Sequence, residues 1–215
     1  MTHHLAKPPH RALPIAWRSL ARTLGAALLA APMSFAGCGH SAPTHYLTLD
    51  ATGAGAGAGM PLSTRPMAPV QLSAVHIPAV LDRPEVVTQT GPNRLKIDDT
   101  ARWGAPLAQM MRSALAQNLE KRLPAGAFVF PDAPAPAGTR TLVVTVLDCE
   151  TTASATLTLQ ASWALLSGQP VQTSLTQQAT LNAEVTGQDA AAQAAALSRV
   201  LGELSDRIAA SINGR

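Results

Sequence analysis

The chain has 215 residues, with 16 Lys and Arg against 13 Asp and Glu, six His, two Cys and aromatic side chains at only 3%. Four of the basic groups and none of the acidic ones lie in the first 37 residues, so the rest carries 12 against 13, formally −1. The net charge of +3 therefore belongs to the leader: no basic stripe with interleaved aromatics points to nucleic acid, and two cysteines make no disulfide framework.

The leader has an ordered composition. His3, His4, Lys7, His10, Arg11, Arg18 and Arg22 give a positive region, Leu24 to Phe35 an apolar one, and Ala36-Gly37 lead into Cys38. That order predicts an export signal over residues 1–37. Twelve apolar-rich residues are too few to span a bilayer as a helix. Phe35-Ala36-Gly37-Cys38 resembles the end of a bacterial lipoprotein signal, although Phe35 stands where Leu is usual. The expectation is that Cys38 becomes the mature N-terminus and carries acyl chains. Each buried methylene contributes roughly 0.8 kcal/mol, so two or more chains hold a soluble domain. An ordinary secretory signal cut near Ala31 or Ala36 is the alternative, and it too exports the chain. Residue 39 is Gly rather than the Asp that retains lipoproteins at the inner membrane, which by analogy favours the outer membrane with the domain facing the periplasm. Cys149 is then left without a disulfide partner.

Residues 38–69 read as a tether, with the alternating Gly53–Gly59 run and then Pro61, Pro66 and Pro69. One short strand, near 45–49, interrupts it. Residues 70–215 are enough for one domain with one core.

Within that domain Val70 to Ile77 alternates as a strand with neither face wholly polar, which suggests an interior position. Glu85–Thr90 and Arg94–Ile97 flank Gly91-Pro92-Asn93 and predict a hairpin. Asp98-Asp99-Thr100 supplies cap candidates, and Pro106 suits the first turn of a helix. Leu107, Met110, Met111, Ala114, Leu115, Asn118 and Leu119 recur at steps of three and four and predict an amphipathic helix to about Leu123, stopped by Pro124 and Gly126. After a short Phe128–Phe130 segment, Thr141–Cys149 is apolar on both faces and suits an interior strand. Ala155 to Leu165 alternates as a half-buried antiparallel strand. Val171 to Ala183 repeats the pattern beyond the turn Ser167-Gly168-Gln169-Pro170. Thr186 and Asp189 at capping-box spacing open a last helix with Leu197, Val200, Leu201, Leu204, Ile208 and Ile212 as its apolar stripe. The predicted class is α+β, a mixed or mostly antiparallel sheet with two amphipathic helices on one face.

Catalytic constellations are not found. His76 is the one histidine inside the predicted domain, so no His-rich metal site and no Ser/His/Asp set can be assembled. His76 reads as a structural or exposed residue, and Asp148 and Glu150 around Cys149 as solvated carboxylates rather than an acid/base pair. The Gly/Ala run lacks the strand and helix that would make it a phosphate cradle. No cofactor or metal is implied.

Leu81-Asp82-Arg83-Pro84 followed by Val86-Val87, then Trp103 with Pro106-Leu107, then Asn118-Leu119 with Leu123-Pro124, remain distinctive. Their order and spacing resemble the PqiC-type ABC-transport auxiliary lipoproteins, with the Ala161-Ser162-Trp163 strand and the last helix extending the likeness over nearly the whole mature chain. The chain departs from the family at Ala105, where relatives often carry an acidic residue, and in its long Gly/Ala insertion. The resemblance implies a non-catalytic accessory role beside an MCE-domain protein and inner-membrane transporter subunits that move lipophilic molecules between membranes. On that reading Asp82, Arg83, Pro84 and Trp103 form an exposed surface for the partner, since Arg and Trp often dominate interface energetics. The competing structural reading pairs Arg83 with Asp82 or Asp99 and buries Trp103 against the sheet. A periplasmic lipid-binding carrier is the alternative function and would need an apolar cavity of roughly 300–1,000 Å³. An envelope hydrolase lacks its nucleophile and base. The polar strand faces leave open whether the chain forms a homo-oligomer.

Overall fold

The computed structural model describes residues 42–53, 67–91, 93–152 and 154–214. The leader over 1–37, Cys38 and residues 54–66 lie outside the described residues. In chain order the elements are β1 (His45–Leu47), β2 (Val70–His76), β3 (Glu85–Gly91), β4 (Arg94–Trp103), α1 (Leu107–Glu120), β5 (Phe128–Val129), β6 (Arg140–Thr151), β7 (Thr156–Ser167), β8 (Gln172–Glu184) and α2 (Ala190–Ile212).

The class is α+β, but the strands form two sheets rather than one. Five strands run in the order β5-β2-β6-β7-β8, and three in the order β1-β4-β3. β2 pairs parallel with both β5 and β6, whereas β6, β7 and β8 pair antiparallel. The interior position expected for β2 and β6 from their two apolar faces is the one they occupy.

Alternation decides which face of the large sheet is covered. Leu142, Val144 and Val146 of β6 stand opposite Leu165, Trp163 and Ala161 of β7, and all six are buried. α1 packs on β2 and α2 on β7 and β8. The α1 residues Leu107, Met111, Leu115 and Leu119 and the α2 residues Leu197, Val200, Leu201, Leu204 and Ile208 complete the core. Burying one such side chain contributes roughly 1.5–3 kcal/mol, so the core is built from many aliphatic contacts rather than a few aromatic ones. Trp163 adds a polar tie, its indole N–H donating to Ser211 Oγ at 3.0 Å.

Three local expectations are corrected. Asp98-Asp99-Thr100 does not cap a helix: β4 continues through it to Trp103, with a register shift against β3. There the Asp98 carboxylate accepts hydrogen bonds from Thr100 N–H at 2.9 Å, Thr100 Oγ1 at 2.8 Å and Ala101 N–H at 3.1 Å. A short side chain that bonds backbone two and three residues on serves an irregular strand as well as a helix start. α1 begins after Pro106 with no side-chain cap and ends at Glu120, with Leu123 in the turn that follows. α2 is capped by Asp189, which accepts from Ala192 N–H at 2.9 Å, so Thr186 lies outside the helix and the expected box does not form. The expected β3–β4 hairpin is present, and Asn93 at its turn has φ +58°, a conformation Asn tolerates.

Candidate functional site

The segment between β2 and β3 is a compact turn rather than a loose loop. Leu81 N–H donates to Pro78 O at 2.9 Å and Arg83 N–H to Leu81 O at 2.9 Å, while Pro84 O accepts from Trp103 N–H at 2.7 Å. The last bond fastens the turn to the end of β4. Asp82 and Pro84 are exposed. Arg83 Nε donates to Glu85 Oε2 at 3.1 Å, and Arg102 lies 3.8 Å from the other carboxylate oxygen. The hydrogen bond from Arg83 above all, with the charge of both arginines, holds the Glu85 carboxyl below its usual range. Arg83 therefore pairs with Glu85 rather than with Asp82 or Asp99.

Trp103 does not share that exposed surface. It is 9% exposed and belongs to the core. The indole lies over a notch of about 30 Å³ lined with it by Leu81, Val86, Leu107, Cys149 and Leu197. Ligand sites hold roughly 300–1,000 Å³, and this notch has room for little more than a water. The structure thus brings Asp82, Arg83 and Pro84 together at the surface and sets Trp103 beneath them as their support.

A second constellation escaped the sequence reading. Leu47 at the end of β1 and Leu49 just after it pack on the core, and Gly104 N–H donates to Leu47 O at 2.8 Å. The chain then enters the groove between the helices. Asp50 N–H donates to Ser198 Oγ at 3.1 Å, and Thr52 N–H to Asn118 Oδ1 at 2.8 Å. Arg122, with its side chain 2% exposed, closes the seat. Its Nε reaches Asp206 Oδ1 at 2.6 Å, Nη1 reaches Thr52 O at 3.3 Å and Asn118 O at 3.1 Å, and Nη2 reaches Gly53 O at 2.8 Å. With the longer Nη2–Asp206 Oδ2 contact at 3.5 Å, all five guanidinium N–H groups have an acceptor. Ser198, Gly202 and Asp206 recur every four residues and so form one stripe of α2. Gly202 is the point of closest approach: a Cβ there would overlap the Thr52 side chain.

His76 is exposed at the end of β2. Burial first, and then the neighbouring carboxylates of Asp148 and Glu150, push the Cys149 thiol up to about 12. Among the described residues no group of three or more His, Cys, Asp or Glu could hold a metal, and no helix is long and apolar enough to cross a membrane.

The family model of the ABC-type transport auxiliary lipoprotein component matches residues 48–209. The chain belongs to this family. The match includes the seated residues 48–53 as well as the Asp82–Pro84 turn. A comparison with functionally curated proteins finds no match. Among solved structures, the chain is similar to a crystal structure titled only as an uncharacterized protein, at TM-score 0.63 and 22% identity, over 80% of this chain and 99% of that one. A Xanthomonas campestris protein of the family DUF330 aligns at TM-score 0.62 and 15% identity, over 79% of this chain and 95% of that one. At such identities these two likenesses show the fold. The family assignment makes this chain an accessory lipoprotein of an ABC-type transport system.

The missed residue, Arg122, sits inside the stretch Asn118-Leu119-Glu120-Lys121-Arg122-Leu123-Pro124 on which the resemblance was drawn. Its signal was available: an Arg four residues after a core-facing Asn shares that helix face. Two of its acceptors, the carbonyls of Thr52 and Gly53, lie about 70 residues away in the chain, where no local pattern points to them.

Proposed function

We propose that this auxiliary lipoprotein is held in the outer membrane by acyl chains on Cys38 and docks an MCE-domain protein without catalysing a reaction. The partner connects it to inner-membrane transporter subunits in a system that moves phospholipid or another lipophilic molecule between the membranes. Asp82, Arg83 and Pro84 form the docking surface, with Trp103 holding the turn from below. The observation that carries the reading is the family match over residues 48–209.

The form of the domain supports it. A turn anchored to buried Trp103 presents Asp82 and Arg83 with little freedom, and a pre-organised surface loses less entropy on binding. The seated segment shortens the tether. Six residues, 39–44, separate Cys38 from His45 at the start of β1, and the Gly/Ala run falls between seated Gly53 and Met67. That run is then an insertion within the domain rather than the link to the membrane. The notch of about 30 Å³ beneath Trp103 is too small for a lipid, and the larger hollows, of about 480 Å³ beside Gln109, Arg112 and Asp132 and about 370 Å³ beside Asn182, Glu184 and Arg199, are lined mainly by polar side chains, which favours docking over carriage of a lipid.

The test is affinity purification of the tagged protein from detergent-solubilised membranes, with mass spectrometry of partners and of extracted lipid. Recovery of an MCE-domain protein with transporter subunits, reduced by Asp82→Ala with Arg83→Ala, supports the proposal. Stoichiometric phospholipid with no such partner would favour the carrier.

A further inference from the structure

The tip of the β3–β4 hairpin carries an exposed two-faced segment that the docking role leaves unused. Leu95 and Ile97 are 52% and 38% exposed and stand opposite Gln89 and Val87. Residues two apart on a strand share a face, so these side chains project together, while Arg94 and Lys96 lie on the other face and are exposed. Among the described residues the ion pairs involve neither of these two cations. A hairpin tip with one apolar face and a basic face opposite it suits a position flat at the boundary between acyl chains and anionic headgroups.

Strand direction says which end of the domain this is. β1 runs parallel to β4, pairing His45 with Ala101 and Leu47 with Trp103. The chain entering β1 therefore comes from the side on which β4 begins, the side of the hairpin tip. The bulge at Asp98–Ala101 shortens β4, so the distance is read along β3: Glu85, opposite Arg102, lies six residues from Gly91 at the tip, about 20 Å at 3.3 Å per residue. Seven residues separate His45 from Cys38, a reach of at most about 25 Å. Cys38 can therefore reach the level of the tip. The Asp82–Pro84 turn leads into Glu85, which pairs with Arg102 at the opposite end of this sheet.

We propose that the β3–β4 tip is a second membrane contact, in which Leu95 and Ile97 enter the anionic leaflet that holds the acyl chains and Arg94 and Lys96 meet its phosphates. The proposal rests on the acylation of Cys38. It orients the domain with its docking turn away from the anchoring membrane, where a partner crossing the periplasm would arrive.

The experiment uses the acylated full-length mature protein in vesicles containing phosphatidylglycerol and lipid brominated at shallow acyl positions. Tryptophan is introduced at the tip as Leu95→Trp and, for control, as Val80→Trp at an exposed site in the turn at the other end. Flotation with the vesicles is scored first. The expected result is flotation, quenching at the tip variant at least about twofold above the unsubstituted protein, and none at the control. Arg94→Glu with Lys96→Glu should reduce that quenching, since each basic residue near an anionic surface contributes about a fivefold gain in partitioning. Flotation without quenching at the tip overturns the inference and leaves the anchor standing. Loss of flotation overturns the anchor and the inference with it. A blue shift at the tip without bromine quenching assigns the patch to protein, a second copy included, and also overturns it.

Discussion

Replacing Arg122 by Met tests the seat of the N-terminal segment, because Met keeps the apolar stem and removes every donor. The change orphans Asp206 and the carbonyls of Thr52, Gly53 and Asn118 together. Removing one member of a buried ion pair costs about 3–5 kcal/mol. Asp206 is 34% exposed and regains water, which places the expected loss near 3 kcal/mol. For a domain of this size each kcal/mol moves Tm by about 2–4 °C, so Arg122→Met should lower it by roughly 6–12 °C. The loss should also be local. The amide protons of Asp50 and Thr52 are bonded to side chains of the two helices, and their exchange should accelerate well beyond that of β6 amides in the same sample. Hydrogen exchange read by NMR, with a thermal melt, measures both effects. A Tm change under about 1 °C with protection retained at residues 50 and 52 would refute the claim that Arg122 holds the segment.

Three further outcomes follow from the same geometry. Gly202→Ala gains up to about 1 kcal/mol of helix propensity but drives a methyl into Thr52, and overpacking costs about 1–3 kcal/mol. The variant should be less stable in urea denaturation, and more stable than its parent once Thr52→Gly has removed the obstacle; destabilisation in both backgrounds would contradict the close approach. Cys149, with its thiol pushed up to about 12, should react with a thiol reagent at pH 8 at least about a hundredfold more slowly in the folded protein than in urea. Equal rates would mean an open site. Glu85, Asp98 and Asp132 have carboxyls held below their ordinary values, chiefly by hydrogen bonds from Arg83, Thr100 and Arg112 respectively. A lowered folded-state pKa contributes stability that is complete above the unfolded value, about pH 4–4.5, and is lost as pH falls through the folded one. The urea midpoint should therefore drop below about pH 4, less steeply in Glu85→Gln, and an unchanged slope in that variant would disconnect Glu85 from the effect.

How far the sequence foretold this structure depended on the range of each interaction. The strand β7 and the stripe of α2 were legible because burial repeats every second residue in one and every three or four in the other. Leu157 to Leu165 and Leu197 to Ile212 are buried on those periods. Asp98 was read as a cap candidate because an Asp that bonds backbone two residues on looks alike before a helix and within an irregular strand. The split into two sheets was not legible, since pairing partners such as Tyr46 and Arg102 are distant in sequence and strand patterns do not name their neighbours. In the candidate site, the family resemblance singled out Asp82–Pro84, but Trp103 is an interface residue type that is also a core type. Its burial follows from where β4 ends, which only the fold decides. The seat built by Asn118, Arg122, Ser198, Gly202 and Asp206 combines two helix faces and one extended segment, each unremarkable alone.

The docking claim is tested most directly by site-specific photo-crosslinking in living cells from positions 82 and 83. Adducts identified as an MCE-domain protein, absent from a probe placed on exposed β8, are the result this account predicts. Adducts to lipid alone, or to no protein from either position, would contradict it.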